Sequence, residues 1–275
     1  MNRKQLVPEE SPKAAYGERL RRLRDERGLT QDELGERMGY SGTHISAVET
    51  GRRSPTPHFS SKADAVFETG DQFERQGRAV RHTAVLEGFP EYVAREAGAT
   101  EIRIFEVGLV PGLLQTPDYG AAITTGAVRR GAITEQQAEE RLALLTRRQT
   151  SLVRTPAPMV HAVLDESCVR RAVGGPEVMA AQLDRLISFA ELPSTVFQVA
   201  PFDLGERRAF DLPIYLLTLS DRTHLTYAES AHQGSLARDM NVVQSKLTAY
   251  HQLQAEALSQ AASVALIQKL RKGIQ

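Results

Sequence analysis

The chain has 275 residues, 41% of them hydrophobic, and its 34 Lys and Arg are balanced by 34 Asp and Glu to a formal net charge of zero. That length allows roughly two domains with sizeable cores, and the neutral total excludes a uniformly basic nucleic-acid coat, so any anion-binding surface is local. No run of about 18 apolar residues reads as a membrane span and the N-terminus offers no secretory apolar stretch, while the single cysteine, Cys168, excludes an intrachain disulfide or thiolate-cluster metal site and points to a reducing, cytoplasmic setting.

Residues 1–13 are polar and aperiodic, and read as a flexible arm, with order expected from near Ala14. Tyr16, Leu20 and Leu23 then recur at helical spacing, and Arg19, Arg21, Arg22, Arg24 and Arg27 are expected on the remaining surface of that helix. Gly28 supplies a left-handed stop. Thr30 with Glu33 forms a capping box opening a second helix that turns Leu34 and Met38 inward. Gly39 permits a turn, Ser41 caps a third helix with Ile45 and Val48 as its apolar positions, and Gly51 ends it. Phe59, Ala63, Val66 and Phe67 mark a fourth helix, and residues 75–97 read as mainly helical.

Two such short helices have a physical use, because crossed steeply they hold the third helix out where its first side chains can enter a major groove. Gln31, Gly39, Ile45 and Val48 occupy the characteristic places of a helix-turn-helix, and the segment "LRRLRDERGLTQDELGERMGYSGTHISAVETGRRSP" resembles the Cro/repressor, or xenobiotic-response-element, class. Two positions depart from that pattern: Gly35 stands where alanine is usual, and Gly42 where a base-reading amide is common. Direct readout of an operator in double-stranded DNA is therefore expected from Ser41, Thr43, His44 and Ala47. The resemblance places Gln31, Arg52 and Arg53 on phosphates. Residues 1–55 hold 11 Lys and Arg against 9 Asp and Glu, so binding per head is modest and a homodimer is expected.

Beyond residue 98 the pattern alternates. Ile102, Ile104, Val107 and Leu109 form an extended run, Thr116 with Pro117 starts a helix, and Thr134 with Gln137 makes a second capping box. "MVHAVLD", "TVFQVAP", "PIYLLTLS" and "HLTYAES" read as strands, "PEVMAAQLDRLISFAEL" as a helix, and "ARDMNVVQSKLTAYHQLQAEALS" as one long closing helix. The fold class expected is mainly α with α+β: a five-helix N-terminal helix-turn-helix domain (14–70), a helical connector (71–98) and a larger α+β regulatory domain with a small sheet (99–275). "EVGLVPGLLQTPDY", "RRQTSL", "LDESCVRRAVGGPEVMAAQLDRL", "FQVAPF" and "YAES", in that order, resemble an actinobacterial family of helix-turn-helix regulators with an antitoxin-like C-terminal domain. That resemblance implies a small companion protein as partner of the C-terminal domain.

No catalytic set is expected. His161, Asp165, Glu166 and Cys168 fall near one strand, but Cys168 lies among apolar neighbours like a small core residue. Gly174-Gly175 reads as a turn, because it lacks a phosphate-loop lysine. The histidines are spaced for no metal site and no cofactor motif is present. Val110, Leu113, Leu114 and Tyr119 read as core, with a ligand pocket as the other reading; a sensor of small molecules is the alternative to the companion-protein regulator.

Overall fold

The computed structural model describes residues 12–81, 85–86, 88–230 and 234–274. The expected arm thus lies largely outside the described residues, and the first helix begins at Pro12. The chain divides into two compact units, 1–83 and 84–275.

The first unit is helical: α1 (Pro12–Glu26), α2 (Gln31–Met38), α3 (Gly42–Glu49), α4 (Pro57–Phe67) and α5 (Gln72–Arg81). Tyr16, Leu20, Leu34, Met38, Ile45, Val48, Phe59, Phe67 and Phe73 are buried together as its core. Tyr16 meets Phe73 edge-on at 5.2 Å and donates its hydroxyl to Ser60 Oγ at 3.1 Å, so the ring is buried without an orphaned polar tip. Asp64, buried in α4, accepts from the amides of Phe73 and Glu74 at 2.9 and 2.8 Å and so caps α5. One expectation needs correction: Arg24 is not a surface residue of α1 but is only 8% exposed. It follows Tyr16 and Leu20 at intervals of four, on the stripe that faces inward.

The second unit comprises α6 (Phe89–Glu96), β1 (Glu101–Glu106), α7 (Pro117–Arg129), α8 (Glu135–Gln149), β2 (Met159–Asp165), α9 (Glu166–Arg170), α10 (Pro176–Ala190), β3 (Thr195–Ala200), β4 (Ile214–Thr218), β5 (His224–Glu229), β6 (Gly234–Ala237), α11 (Met240–Glu256) and α12 (Gln260–Lys272). The strands form one mixed sheet in the order β3-β2-β1-β4-β5-β6. β1, β2 and β3 are mutually parallel, whereas β4 lies antiparallel to β1 and continues into an antiparallel β4-β5-β6 run. The fold is mainly α with α+β, as its element order implied.

Alternation along β1 sorts the two faces. Ile102 and Ile104 join Val160, Ala162, Leu164, Leu217 and Tyr227 under α6, α7, α10 and α12, while Phe105 joins Val163, Ile214 and Leu216 under α11. Val110, Leu113, Leu114 and Tyr119 are all buried in the first of these cores.

Two features depart from the expected pattern. The segment read as the closing helix (237–259) is α11, and a further helix that was not expected, α12, follows it; between them Leu258 donates its amide to Val199 O of the edge strand β3 at 2.9 Å. Ser263 Oγ and Gln260 Oε1 accept from the amides of Val199 and Phe197 at 2.9 and 3.0 Å, which covers more of that edge. The second departure is β6, four residues long, which pairs only with β5.

Candidate nucleic-acid interface

The local chemistry of residues 30–51 sets α2 and α3 in place. Thr30 accepts from the Glu33 amide at 3.2 Å while Glu33 Oε2 accepts from the Thr30 amide at 2.7 Å, completing the capping box. Gly39, at φ 77°, ends α2 in the left-handed region, and Ser41 Oγ accepts from the His44 amide at 3.2 Å to start α3. Of the two glycines that depart from the usual pattern, Gly35 is required by a close approach of backbone, whereas Gly42 faces the movable side chain of Asp32. A Cβ at Gly35 would stand 2.5 Å from the Tyr40 carbonyl oxygen, and one at Gly42 would stand 1.9 Å from Asp32 Oδ1. The side chain missing from Gly42 is thus replaced in space by the Asp32 carboxyl of α2.

The far end of α3 is tied down by Glu49, which is fully buried. Glu49 accepts from Arg24 Nε at 2.5 Å, from Arg24 Nη2 at 3.2 Å and from Gln31 Nε2 at 2.7 Å, with Arg21 Nε 3.8 Å away. Arg24 also donates to the Leu29 carbonyl at 2.8 Å. Burial works against the Arg24 charge, and hydrogen bonding and attraction to Glu49 outweigh it. One carboxylate thereby joins the end of α3 to α1 and to the first turn of α2. Glu49 was not anticipated, although it lies four residues after Ile45 on the inward stripe. Gln31, expected at a phosphate, has its amide nitrogen on Glu49, which engages one of the two N–H donors of that group.

The expected base-reading residues fall into two groups. Ser41 and Thr43 are exposed, whereas His44 and Ala47 are half-buried. The His44 ring stacks on Phe59 at 5.4 Å and 8° and lies 4.5 Å from the Tyr40 ring. Burial, then the nearby Arg53 charge, holds the imidazole below its ordinary pKa. His44 is therefore neutral at physiological pH, with one donor and one acceptor. Arg52 and Arg53 are exposed just beyond Gly51; Arg52 Nε bonds Thr50 Oγ1 at 3.0 Å, and the Arg53 amide bonds the Ala47 carbonyl at 3.0 Å.

The second cluster singled out in the sequence does not converge. His161 Nε2 lies 3.0 Å from Glu101 Oε1, Asp165 accepts from Arg208 Nη1 at 2.9 Å, and Glu166 accepts from Arg170 Nε at 2.6 Å. Cys168 is buried with its Sγ on the Glu106 carbonyl oxygen at 3.3 Å, and burial pushes its thiol pKa up, the opposite of an activated thiolate. Among the described residues no group of His, Cys, Asp and Glu is placed to hold a metal, and no helix is long and apolar enough to cross a membrane.

Comparison with known proteins matches two domain models along the chain. Residues 15–87 match a helix-turn-helix domain, and residues 89–269 match a domain of unknown function (DUF5753). The chain is 50% identical over 40 residues to the uncharacterized HTH-type transcriptional regulator y4dJ of Sinorhizobium fredii, a match covering 14% of this chain and 52% of that protein. It is 32% identical over 113 residues to the uncharacterized HTH-type transcriptional regulator RghRB of Bacillus subtilis, covering 41% of this chain and 69% of that protein. The chain thus spans about half the length of the first of these relatives and rather more of the second. No solved structure shows significant similarity to it. With more than half of its length matched by that model, the chain belongs to the DUF5753 family and carries, ahead of that domain, the helix-turn-helix of a DNA-binding transcription regulator.

Proposed function

We propose that the protein is a cytoplasmic, sequence-specific regulator that reads duplex DNA with α3 as a homodimer, and whose second unit binds a small companion protein and performs no catalysis. The observation that carries the DNA reading is the presentation of α3: its start exposes Ser41 and Thr43, its end is anchored by Glu49, and Arg52 and Arg53 stand exposed just beyond it. This arrangement separates base readout from phosphate contact. Thr43, His44 and Ala47 read bases, with Ser41 at the rim. Arg52, Arg53 and the second N–H of the Gln31 amide hold phosphates.

The companion-protein reading rests on the resemblance of the ordered C-terminal motifs to the antitoxin-like family. Such a partner controls DNA occupancy only by binding the DNA-competent and incompetent states unequally. Sequencing DNA recovered with the full-length protein supplies the operator. On that operator, Thr43→Ala shifts base preference, whereas Arg52→Ala with Arg53→Ala weakens all duplexes and lowers the salt slope by about one per lost phosphate contact. Unchanged preference and salt slope in these variants reject the site. A companion protein whose affinity is identical with and without operator rejects the coupling.

A further inference from the structure

The first turn of α2 carries three polar side chains in a row, and two of them are already engaged. Gln31 gives its amide nitrogen to Glu49 at 2.7 Å, and Glu33 accepts from the Thr30 amide and hydroxyl at 2.7 and 2.9 Å. Asp32 stands between them, exposed, and among the described residues no hydrogen bond or ion pair occupies its carboxyl. An acidic residue suits the positive end of α2. That role asks for a nearby acid, but not for the place this carboxyl takes.

The place is over Gly42, the residue that opens α3. An ideal Cβ on Gly42 would stand 1.9 Å from Asp32 Oδ1, 2.8 Å from its Cγ and 3.1 Å from its Cα. The Asp32 side chain thus lies along the direction in which any side chain of residue 42 would leave the backbone. Gly42 is buried beneath it, whereas Ser41 and Thr43 on either side are exposed. Side chains at the start of a recognition helix are the ones that meet base edges in the major groove. The second helix therefore lends the third a carboxyl at the position where α3 has no side chain of its own.

What this group can read follows from its chemistry, because a carboxylate only accepts hydrogen bonds. In the major groove cytosine offers a donor alone, its N4 amino group, whereas adenine sets an N7 acceptor beside its N6 donor and guanine offers two acceptors. An acceptor-only group pairs with cytosine, is partly opposed by adenine and is repelled by guanine. Its negative charge also works against the phosphates of any duplex. A carboxyl on this face is favourable only where a base donor meets it.

We propose that Asp32 is a specificity-determining residue of the DNA interface, accepting from the N4 amino group of one cytosine in each half-site. The inference rests on the reading of α3 as the recognition helix and adds to it a base contact made from α2. Gly42 is a positioning residue, since its missing Cβ leaves room for the carboxyl.

The test selects duplexes from a randomised pool with the full-length protein, then measures affinity for the selected duplex and its single-base variants. The parent is expected to select one cytosine per half-site that depends on Asp32, and exchanging that C·G pair for G·C is expected to lower its affinity about ten-fold. Asp32→Asn presents both a donor and an acceptor, and is expected to move the preference at that pair towards adenine while leaving the other positions unchanged. Gly42→Ala pushes the movable Asp32 carboxyl aside, and is expected to flatten the preference at the same pair with Asp32 intact. An Asp32 that served α2 alone would change affinity for all duplexes alike and shift no base preference. Variants that keep the parent's preference at every position overturn the inference, and if Thr43→Ala still shifts preference, the reading of α3 survives that failure. A parent with no preference among duplexes overturns both. Urea unfolding checks that each variant keeps its fold, and if one does not, the other decides.

Discussion

Glu106 has no bonded cation among the described residues, and burial lifts its carboxyl to about 7, with the nearby Glu229 charge adding to the rise and Tyr215, Val107 and Arg148 pulling the other way. Because this folded-state value lies above the unfolded one of about 4.3, the native state binds the extra proton between those two values. Stability contributed by Glu106 is therefore greatest at low pH and is lost as pH rises through about 7. Glu106→Gln removes that loss. The amide oxygen can accept from Val107 while the Tyr215 hydroxyl turns to accept from the amide nitrogen. Thermal melts should show the variant about 1–2 kcal/mol more stable than the parent at pH 8, after discounting for partial exposure, and near-equal at pH 5. A parent and variant that differ equally at both pH values contradict this account. His44 illustrates the opposite case, since burial and then the Arg53 charge lower its pKa and favour the neutral imidazole, with one donor and one acceptor.

At the scale of elements, α3 is eight residues long and cannot be stable alone, so its orientation is imposed by its neighbours. Val48 and Ile45 supply the apolar contact, and Glu49 supplies the directional one by tying α3 to Arg24 of α1 and Gln31 of α2. Glu49→Gln strips Arg24 of its buried partner and leaves it Asp25, 2.6 Å away and half exposed, so it should cost about 1.5–3 kcal/mol in urea unfolding, whereas Arg24→Met combined with Glu49→Leu should cost far less than the sum of the single changes. Additive costs would mean that the two groups act independently. The same anchoring predicts that Glu49→Gln weakens DNA binding even though Glu49 is buried away from any base, because α3 loses its fixed angle. The second unit handles its exposed strand edge by a comparable device: β3 is covered by Leu258, Gln260 and Ser263 from the α11–α12 junction.

At the scale of the whole molecule, the three or four base-reading side chains proposed for one head cover too little sequence to single out an operator, and the local charge excess is only two, 11 basic against 9 acidic residues over 1–55. Doubling the heads multiplies discrimination, so a homodimer on an inverted repeat is the expected reading state. Light scattering coupled to size exclusion should give a dimer mass on operator DNA, with half-sites spaced by one helical turn or a multiple of it. A monomer both free and on DNA would contradict this. The α1–α5 unit and the sheet unit each bury their own core, so the dimer contact need not involve the reading head.

Local chemistry alone determined much of this protein. Capping boxes at Thr30 and Thr134, the turn at Gly39 and the periodic apolar stripes are written within a few residues of one another, and each element they mark is present. The helix-turn-helix was legible because its spacing is short-range. The buried Arg24–Glu49 pair was not legible in the sequence: Arg24 reads as a surface residue and Glu49 is passed over, because their partnership joins positions 25 residues apart. Tertiary structure alone decided the rest. The contacts of Leu258, Gln260 and Ser263 with the β3 edge join positions about 60 residues apart, while the start of α12 has its own local signal, Ser259 capping the Ala262 amide. β6 exists only as a partner for β5. The surroundings of Glu106 assemble residues from β1, β4, β5 and α8 that share no motif and meet only on folding. Patterns of a few residues report hydrogen bonds and turns that the chain makes with itself nearby; desolvation and charge pairing depend on whichever distant groups packing places alongside.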